Sequence, residues 1–291
     1  MPELPEVETV RMGLVPALEG HKFVHVETRR GDLRVPFPQD FAKRLIGRHV
    51  RRLRRRAKYL LAELDRGETL VIHLGMSGRM AVYAEGKERK LGQYVYEEPP
   101  PEAGHGKHDH VVMETDAPAR IVFTDHRRFG LMTLIDTKTI DKDKLFRGLG
   151  VEPLSDAFSA PYLVDALKGK KTPIKGALLD QRVIAGIGNI YACEALFRAG
   201  ISPKRVASRV QKPSIALLVH AIRSVLTQAI KAGGSSLRDY KKADGDLGNF
   251  QHHFAVYDRK GEPCPRKGCG GTVKRIVQAG RSTFYCPTCQ R

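Results

Sequence analysis

The sequence lacks the features that mark membrane and secreted proteins. Tryptophan is absent from the 291 residues, and the longest stretch without a formally charged side chain, residues 183–193, is 11 residues long. A membrane-spanning helix needs about 18 or more apolar residues, so we expect no transmembrane span. The N-terminal segment MPELPEVETVR is acidic and has no apolar core, so we expect no signal peptide.

Signatures of several common enzyme classes are also missing. The sequence contains no GxxxxGKS/T, GxSxG, HExxH or DFG motif, which disfavours P-loop NTPases, α/β-hydrolases, zinc proteases and kinases. The glycine-rich segment 184–191 lacks the third glycine and the preceding strand of a dinucleotide-binding fingerprint. It remains compatible with a phosphate contact at a helix N-terminus.

Acidic residues are few relative to basic ones. There are 50 Lys and Arg against 32 Asp and Glu, which gives a formal net charge of +18. Nine of the basic residues, and no acidic one, lie in the run 43–58. Without a membrane signal, this excess indicates a polyanionic partner, most simply nucleic acid.

The predicted secondary structure changes twice along the chain. An amphipathic helix is predicted over 3–19, and short alternating strands separated by turns follow over 22–135, as in a sandwich or barrel. The Pro- and Gly-rich segment 84–107 is predicted to be a loop, and the chain becomes helical after residue 136. Ser155 is a possible cap of the first of these helices. We expect three domains: 1–135, 136–250 and 251–291.

Cysteine is rare except near the C-terminus. Four of the five cysteines have the spacing C-x4-C-x16-C-x2-C, at Cys264, Cys269, Cys286 and Cys289. Four thiolates suit a closed, tetrahedral zinc site, and a short module needs the ion because it buries little apolar surface. One structural Zn²⁺ is therefore predicted. The odd cysteine count disfavours a disulfide framework and indicates a reduced, cytoplasmic protein.

The N-terminus offers a candidate nucleophile. Pro2 follows the initiator methionine, whose removal would leave a secondary amine beside Glu3 and Glu6 at the start of the predicted helix. A helix N-terminus disfavours a nearby positive charge, which favours the neutral, nucleophilic amine. Many proteins without this chemistry also begin Met-Pro, so the residues alone leave both interpretations open.

Motifs along the whole chain resemble one family. They are PELPEVETVR at the start, RRAKYLL at 55–61, HLGMSGR at 73–79, KHDHV at 107–111, TDHRRFG at 124–130, IAGIGNIYACEALF at 184–197 and the terminal GRSTFYCPTCQ. Together they are similar to formamidopyrimidine-DNA glycosylases, the bacterial base-excision enzymes for oxidised purines. Two features depart from that pattern: four residues rather than two separate the first cysteine pair, and the segment 84–107 is long.

The resemblance implies an α+β fold and a bifunctional enzyme. The fold would comprise an N-terminal β-sandwich with flanking helices, a helix–two-turn–helix domain and a zinc finger on a β-hairpin. Pro2 would attack C1′ of the damaged nucleoside, and Glu3 would act as the acid that protonates the sugar. Lys58 would assist β-elimination, and Arg281 would bind phosphate and take part in δ-elimination.

The resemblance also implies the partner and its contacts. The partner would be double-stranded DNA containing oxidised bases or abasic sites, bound by a monomer. His108, Arg127, Lys171 and Asn189 match DNA-binding positions, while Met76, Arg127 and Phe129 match residues that fill the gap left by an extruded base. The loop 235–245 is a candidate lid over that base.

Two alternatives remain at this stage. One is an enzyme of the endonuclease VIII branch, which prefers oxidised pyrimidines, although the LPEVET start favours the purine branch. The other is a zinc-finger DNA-binding protein without catalytic activity.

Overall fold

The computed structural model describes residues 2–84, 89–91, 94–96, 99–100, 102–235, 242–244 and 248–291. They form two compact units. The first comprises residues 1–147 together with 232–249, and the second comprises 148–231 together with 250–291. The division into the three domains 1–135, 136–250 and 251–291 stays a prediction.

The first unit contains two four-stranded antiparallel sheets, which confirm the predicted sandwich. Their strand orders are β1-β8-β9-β5 and β10-β4-β3-β2. The elements are α1 (Leu4–Leu18), β1 (Phe23–Thr28), α2 (Phe41–Leu45), β2 (Val50–Arg56), β3 (Tyr59–Leu64), β4 (Glu68–His73), β5 (Arg79–Ala84), β6 (Arg89–Leu91), β7 (Tyr94–Tyr96), β8 (Asp109–Thr115), β9 (Ala119–Thr124) and β10 (Leu131–Asp136), followed by a 3-10 turn at Ile140–Lys142.

One hydrophobic core joins the two sheets and helix α1. Alternate residues of a strand point to opposite faces, and the inward set of each sheet belongs to this core. The sheets contribute Leu60, Ala62, Leu70, Ile72, Met80, Val82, Val111, Met113, Ile121 and Phe123. Helix α1 adds Val7, Val10, Leu14 and Leu18, the residues whose spacing predicts the helix.

The segment 84–107 differs from its prediction as a loop. Residues Arg89–Leu91 and Tyr94–Tyr96 form two short antiparallel strands. The second strand, Tyr94-Val95-Tyr96, is made of aromatic and β-branched residues, which favour extended backbone. The prolines of this segment, at 99–101, and two of its glycines, Gly104 and Gly106, lie C-terminal to it.

The second unit is helical and ends in a β-hairpin. Its elements are α3 (Ala160–Leu167), α4 (Ile174–Leu179), α5 (Asn189–Arg198), a 3-10 turn at Ala207–Arg209, α6 (Lys212–Lys231), a 3-10 turn at Phe250–His253, β11 (Lys274–Gln278) and β12 (Arg281–Tyr285). The cap of α3 is Ser159, whose hydroxyl accepts from the Tyr162 N–H at 3.3 Å, so the assignment to Ser155 was wrong.

Helix α6 is the main apolar element of this unit. Among the described residues it is the one helix long and apolar enough to cross a membrane. Its buried face includes Leu218, Ile222 and Val225, and the helix packs against α3 and α5. Packing inside the unit therefore accounts for the apolar residues of this buried face.

Candidate functional site

The start of the chain is held in place at the N-terminus of helix α1. Pro2 is buried, and Glu3, the N-cap residue, is 3% exposed. The Glu3 N–H donates to Glu6 Oε2 at 2.9 Å, while Glu6 Oε1 accepts from the backbone N–H and the hydroxyl of Ser235. Pro2 and Glu3 therefore lie on an anchored segment, not on a free tail.

Helix α1 packs against β2, the strand that leads into Lys58. Arg11 Nη1 donates to the Leu53 carbonyl at 3.2 Å, and Arg55 Nε donates to Glu8 Oε2 at 3.0 Å. Lys58 itself lies in the turn between β2 and β3, next to Ala57, whose φ is +53°. Lys58 is 8% exposed.

His73 is a polar neighbour of Lys58 that the sequence analysis did not single out. Burial, and secondarily the positive charges of Lys58 and Arg34, lower the pKa of His73 from 6.5 to about 4. The ring is therefore neutral at pH 7, and its Nδ1 accepts from the Gly75 N–H at 2.9 Å. Only its position as the last residue of a strand, one residue before the sequence Gly-Met-Ser, could have indicated it.

Met76 and Phe129 lie on two turns that touch each other. Both side chains are unusually exposed for large apolar residues, 41% for Met76 and 43% for Phe129. A Cβ atom on Gly75 would lie 2.4 Å from the carbonyl carbon of Phe129, so only glycine permits this approach. The guanidinium of Arg127 stacks over the Phe129 ring, 4.8 Å from its centroid. The three predicted gap-filling residues are thus brought together.

His108 lies on a third turn and is exposed. Its carbonyl accepts from the N–H of Asp125 at 2.9 Å, and its ring centroid is 6.2 Å from that of His126. The His108 turn is therefore bonded directly to the segment that precedes Arg127.

The second unit carries Asn189, Arg281 and Lys171. Asn189 is the first residue of α5, and its Nδ2 donates to the Ser282 carbonyl at 2.9 Å and to the Tyr257 hydroxyl at 3.3 Å. Its Oδ1 is buried and, among the described residues, has no hydrogen-bond partner. Arg281, next to Ser282, and Lys171 are both exposed. Asn189 is thus bonded to the hairpin beside Arg281, with Tyr257 as a further polar neighbour that the sequence analysis missed.

The candidate lid 235–245 lies mostly outside the described residues. Of its described positions, Ser235 bonds to Glu6, and the Ala243 carbonyl accepts from the Val82 N–H at 2.8 Å.

The four predicted zinc ligands converge. The Sγ atoms of Cys264, Cys269, Cys286 and Cys289 all lie within 4.8 Å of one another. Cys264 and Cys289 are 3.8 Å apart, and Cys269 and Cys286 are 3.6 Å apart. Zinc–sulfur bonds of about 2.3 Å in a tetrahedron separate two sulfurs by about 3.8 Å. The cluster therefore fits one structural zinc ion.

The surroundings of the Cys286 thiol favour its thiolate form, whereas burial raises the pKa of Cys264 and of Cys289. Burial raises the pKa of Cys286, but hydrogen bonds from the backbone N–H groups of Cys289 and Thr288 contribute to a net pKa of about 7. Backbone N–H donors of this kind favour the thiolate, which is the form that binds metal. Gly268, within the first cysteine pair, and Gly270, directly after it, have φ values of +76° and +62°. The turn of this longer knuckle therefore uses a conformation that glycine adopts readily.

Three family models match consecutive parts of the chain. Residues 1–132 match the formamidopyrimidine-DNA glycosylase N-terminal domain, and residues 149–241 match the formamidopyrimidine-DNA glycosylase H2TH domain. Residues 261–291 match the zinc finger found in FPG and IleRS.

Similar proteins match over the full length. The chain is 58% identical over 291 residues to a formamidopyrimidine-DNA glycosylase of Ruegeria pomeroyi, with 100% of both chains covered. It is 57% identical over 292 residues to that of Phenylobacterium zucineum, again with 100% of both covered.

Solved structures are similar in fold as well as in sequence. The MutM (Fpg) protein from Thermus thermophilus has a TM-score of 0.82 and 39% identity, with 99% of this chain and 98% of that chain covered. The Lactococcus lactis Fpg in complex with abasic-site DNA has a TM-score of 0.84 and 33% identity, with 99% of each chain covered. A mutant of that protein with Fapy-dG DNA has a TM-score of 0.85 and 33% identity, with 100% of each covered. With its domain models in family order and its relatives matched end to end, the chain belongs to the formamidopyrimidine-DNA glycosylase family.

Proposed function

We propose that this protein is a base-excision repair enzyme that removes oxidised purines from double-stranded DNA and then cleaves the strand at the resulting abasic site. The observation that carries the proposal is the N-terminus of α1. There Pro2 and Glu3 are buried and anchored through Glu6, and β2, which packs against α1, leads into the turn that contains the buried Lys58. A candidate nucleophile and an acid are thus held at one end of one helix.

The first chemical step assigns roles to Pro2 and Glu3. Once Met1 is removed, the Pro2 nitrogen is a secondary amine whose lone pair can form a bond to C1′ of the damaged nucleoside. The C1′–N bond to the base breaks, and the base leaves with its electron pair and takes up a proton. Glu3 donates a proton to the sugar ring oxygen as the ring opens.

Strand cleavage follows from the nature of the amine. A secondary amine forms a positively charged iminium with C1′, and that charge makes the C2′ proton acidic. Loss of this proton expels the 3′ phosphate in β-elimination, which Lys58 assists. Arg281 binds phosphate and takes part in the second, δ-elimination. One residue, Pro2, therefore links base removal to strand cleavage.

The remaining predicted residues bind the DNA. Extrusion of a base leaves a gap in the stack, which apolar wedges can fill. Met76 and Phe129 are exposed apolar side chains on touching turns, and Arg127 can donate to the unpaired opposite base. His108, Lys171 and Asn189 are assigned to the phosphate backbone, where the net charge of +18 supports binding.

The zinc ion has a structural role in this scheme. Its four thiolate ligands leave no open position for water, so the ion holds the module that carries Arg281. We further infer a cytoplasmic, monomeric enzyme with the domains 1–135, 136–250 and 251–291.

A trapping experiment tests this function. Borohydride reduces an iminium to a stable amine, so the protein incubated with an abasic-site duplex and borohydride is expected to form a covalent adduct. Mass spectrometry of the digested adduct should locate the DNA on Pro2. An adduct on Lys58 would overturn the assigned nucleophile, and the absence of any adduct would favour the DNA-binding protein without activity.

Two variants separate the assigned roles. Pro2→Gly keeps an amine but makes it primary and less constrained, so trapping should fall sharply. Glu3→Gln keeps the shape but removes the acid, which should block base excision with DNA binding nearly intact. A substrate panel with 8-oxoguanine opposite each base and one oxidised pyrimidine then distinguishes this enzyme from an endonuclease VIII-like one.

A further inference from the structure

Asp125 is a fully buried carboxylate in the turn after β9, and the proposed reaction gives it no role. Its exposure is 0%. Ser77 Oγ donates to Asp125 Oδ1 at 2.6 Å, and the N–H of Gly130 donates to Oδ2 at 2.7 Å. Ser77 follows Met76, and Gly130 follows Phe129. One carboxylate therefore links the turns that carry the two exposed apolar side chains.

Asp125 and Ser77 also form hydrogen bonds with the segments that contain Arg127 and His108. The Arg127 N–H lies 3.3 Å from both Asp125 Oδ1 and Ser77 Oγ. The backbone N–H of Asp125 donates to the His108 carbonyl at 2.9 Å, and the Asp125 carbonyl accepts from His110 Nε2 at 2.8 Å. Three separate segments assigned to DNA contact thus meet at Asp125.

The packing around these bonds leaves little room for other arrangements. A Cβ atom on Gly130 would lie 2.7 Å from Phe123 Cζ and 3.0 Å from Asp125 Oδ2. Arg128, between Arg127 and Phe129, has a φ of +56°, a left-handed conformation that is uncommon for a residue other than glycine. Such a backbone persists where its surroundings determine it, and the bonds to Asp125 are those surroundings.

We propose that Asp125, acting through Ser77, is a positioning residue that holds Met76, Arg127 and Phe129 in the arrangement needed to occupy the gap left by an extruded base. The inference rests on the proposed function. Buried hydrogen bonds fix the turns that carry the three side chains, while the tips of Met76 and Phe129 stay exposed. A preformed wedge loses less conformational freedom when it enters the DNA.

The positioning role of Asp125 should affect base excision and lyase action to different extents. Base excision from an intact duplex requires unstacking and filling of the gap, whereas a preformed abasic site has no base to extrude. Weakening the link between the turns should therefore slow base excision more than it slows lyase action. A general loss of stability would slow both alike.

The test uses Ser77→Ala in the full-length protein, because removing the fully buried Asp125 carboxylate could unfold the sandwich. Ser77→Ala deletes the 2.6 Å bond but leaves the bond from Gly130. Ser77→Thr retains the hydroxyl and should therefore keep the ratio of base excision to lyase action at the wild-type value. Thr69→Val is the matched control, because it removes the hydroxyl of another fully buried residue, which lies 2.8 Å from Thr137 Oγ1 at the opposite end of β4.

Two rates are measured for each variant: excision of 8-oxoguanine from a duplex, and borohydride trapping on an abasic-site duplex. We expect Ser77→Ala to lower the ratio of excision to trapping by about tenfold, the factor expected from one lost charge-assisted hydrogen bond. Ser77→Thr should restore the ratio, and Thr69→Val should leave it unchanged even if its melting temperature falls.

The outcomes distinguish this inference from the proposed function. If the wild-type protein neither excises nor traps, the proposed function fails. If the wild type is active but Ser77→Ala changes both rates equally, or neither, the positioning role is refuted while the proposed function stands. A tenfold change in the ratio for Thr69→Val would also refute it, because the effect would then not depend on the link between the turns.

Discussion

Glu6 accepts two hydrogen bonds from Ser235, a residue 229 positions later in the chain. The backbone N–H of Ser235 donates at 2.8 Å and its hydroxyl at 3.0 Å, both to Oε1. The other carboxylate oxygen, Oε2, accepts from the Glu3 N–H. The segment that contains the proposed nucleophile is therefore tied through one buried side chain to the first residue of the candidate lid.

Glu6→Ala should destabilise the protein and impair the chemistry of Pro2. The substitution leaves the N–H groups of Glu3 and Ser235 without this acceptor, and a buried unsatisfied donor costs about 1–3 kcal/mol. We expect a loss of that size in the free energy of unfolding, measured by urea denaturation, and slower borohydride trapping at a temperature where the variant is folded. Glu6→Gln, which keeps one acceptor oxygen, should lie between. Unchanged stability and trapping in Glu6→Ala would contradict the anchoring role.

Removing either exposed wedge should separate excision from lyase action. Phe129→Ala and Met76→Ala leave the gap in the DNA unfilled, so 8-oxoguanine excision should fall by about tenfold or more, while trapping on an abasic site falls less. Leu217→Ala, at an apolar residue that is 60% exposed on α6, is the matched control and should affect neither rate. Equal losses on both substrates for Phe129→Ala would place that residue in folding, not extrusion.

Phosphate contacts should appear in the salt dependence of DNA binding. Each contact releases about one counterion, so Lys171→Ala and Arg281→Ala should each reduce the slope of log K against log salt concentration by about one. Lys212→Ala removes an equally charged and exposed side chain that is not assigned to DNA, and should leave the slope unchanged. Fluorescence anisotropy at several salt concentrations measures all three slopes, and a constant slope in Lys171→Ala and Arg281→Ala would exclude them as phosphate contacts.

Loss of one zinc ligand should remove the metal and weaken DNA binding. Cys286→Ser replaces a buried thiolate in the four-sulfur cluster, and the small module has little other core to hold it. Metal analysis should find less than one zinc per chain. Cys193→Ala, at a buried cysteine packed against the module but outside the ligand set, should keep full zinc content. Full zinc content in Cys286→Ser would contradict the ligand assignment.

His73 should make stability depend on pH. Because burial and the charges of Lys58 and Arg34 lower its pKa to about 4 from 6.5, the unfolded chain binds the proton more readily. The stabilisation from neutral His73 is complete above about pH 6.5 and is lost as the pH falls toward 4, by up to about 3 kcal/mol. His73→Gln should flatten this part of the curve, measured by urea denaturation at several pH values. His25→Gln, at an exposed histidine, should leave the curve unchanged; an equally steep curve in His73→Gln would contradict the assignment.

Local pattern determined much of the fold. The spacing of Val7, Val10, Leu14 and Leu18 predicts α1, since residues three and four apart share one face of a helix, and all four are buried in the core. In the same way, the alternation of apolar and polar residues predicts the strands of the sandwich. The zinc cluster was predictable because two short spacings in one small module already limit how far the four thiols can separate. The cap of α3 is Ser159 and not the predicted Ser155. Capping depends on where the backbone turns, and a single residue type does not specify that position.

Only the tertiary structure decided how distant residues act together. The hydrogen bonds that Ser235 donates to Glu6 and Ser77 donates to Asp125 join segments that no periodicity relates. The lowered pKa of His73 likewise depends on burial and on Lys58 and Arg34, which come from other parts of the chain. A sequence specifies side-chain chemistry and local backbone preference, whereas the strength of a buried hydrogen bond or charge depends on which groups the folded chain places within a few ångströms of it.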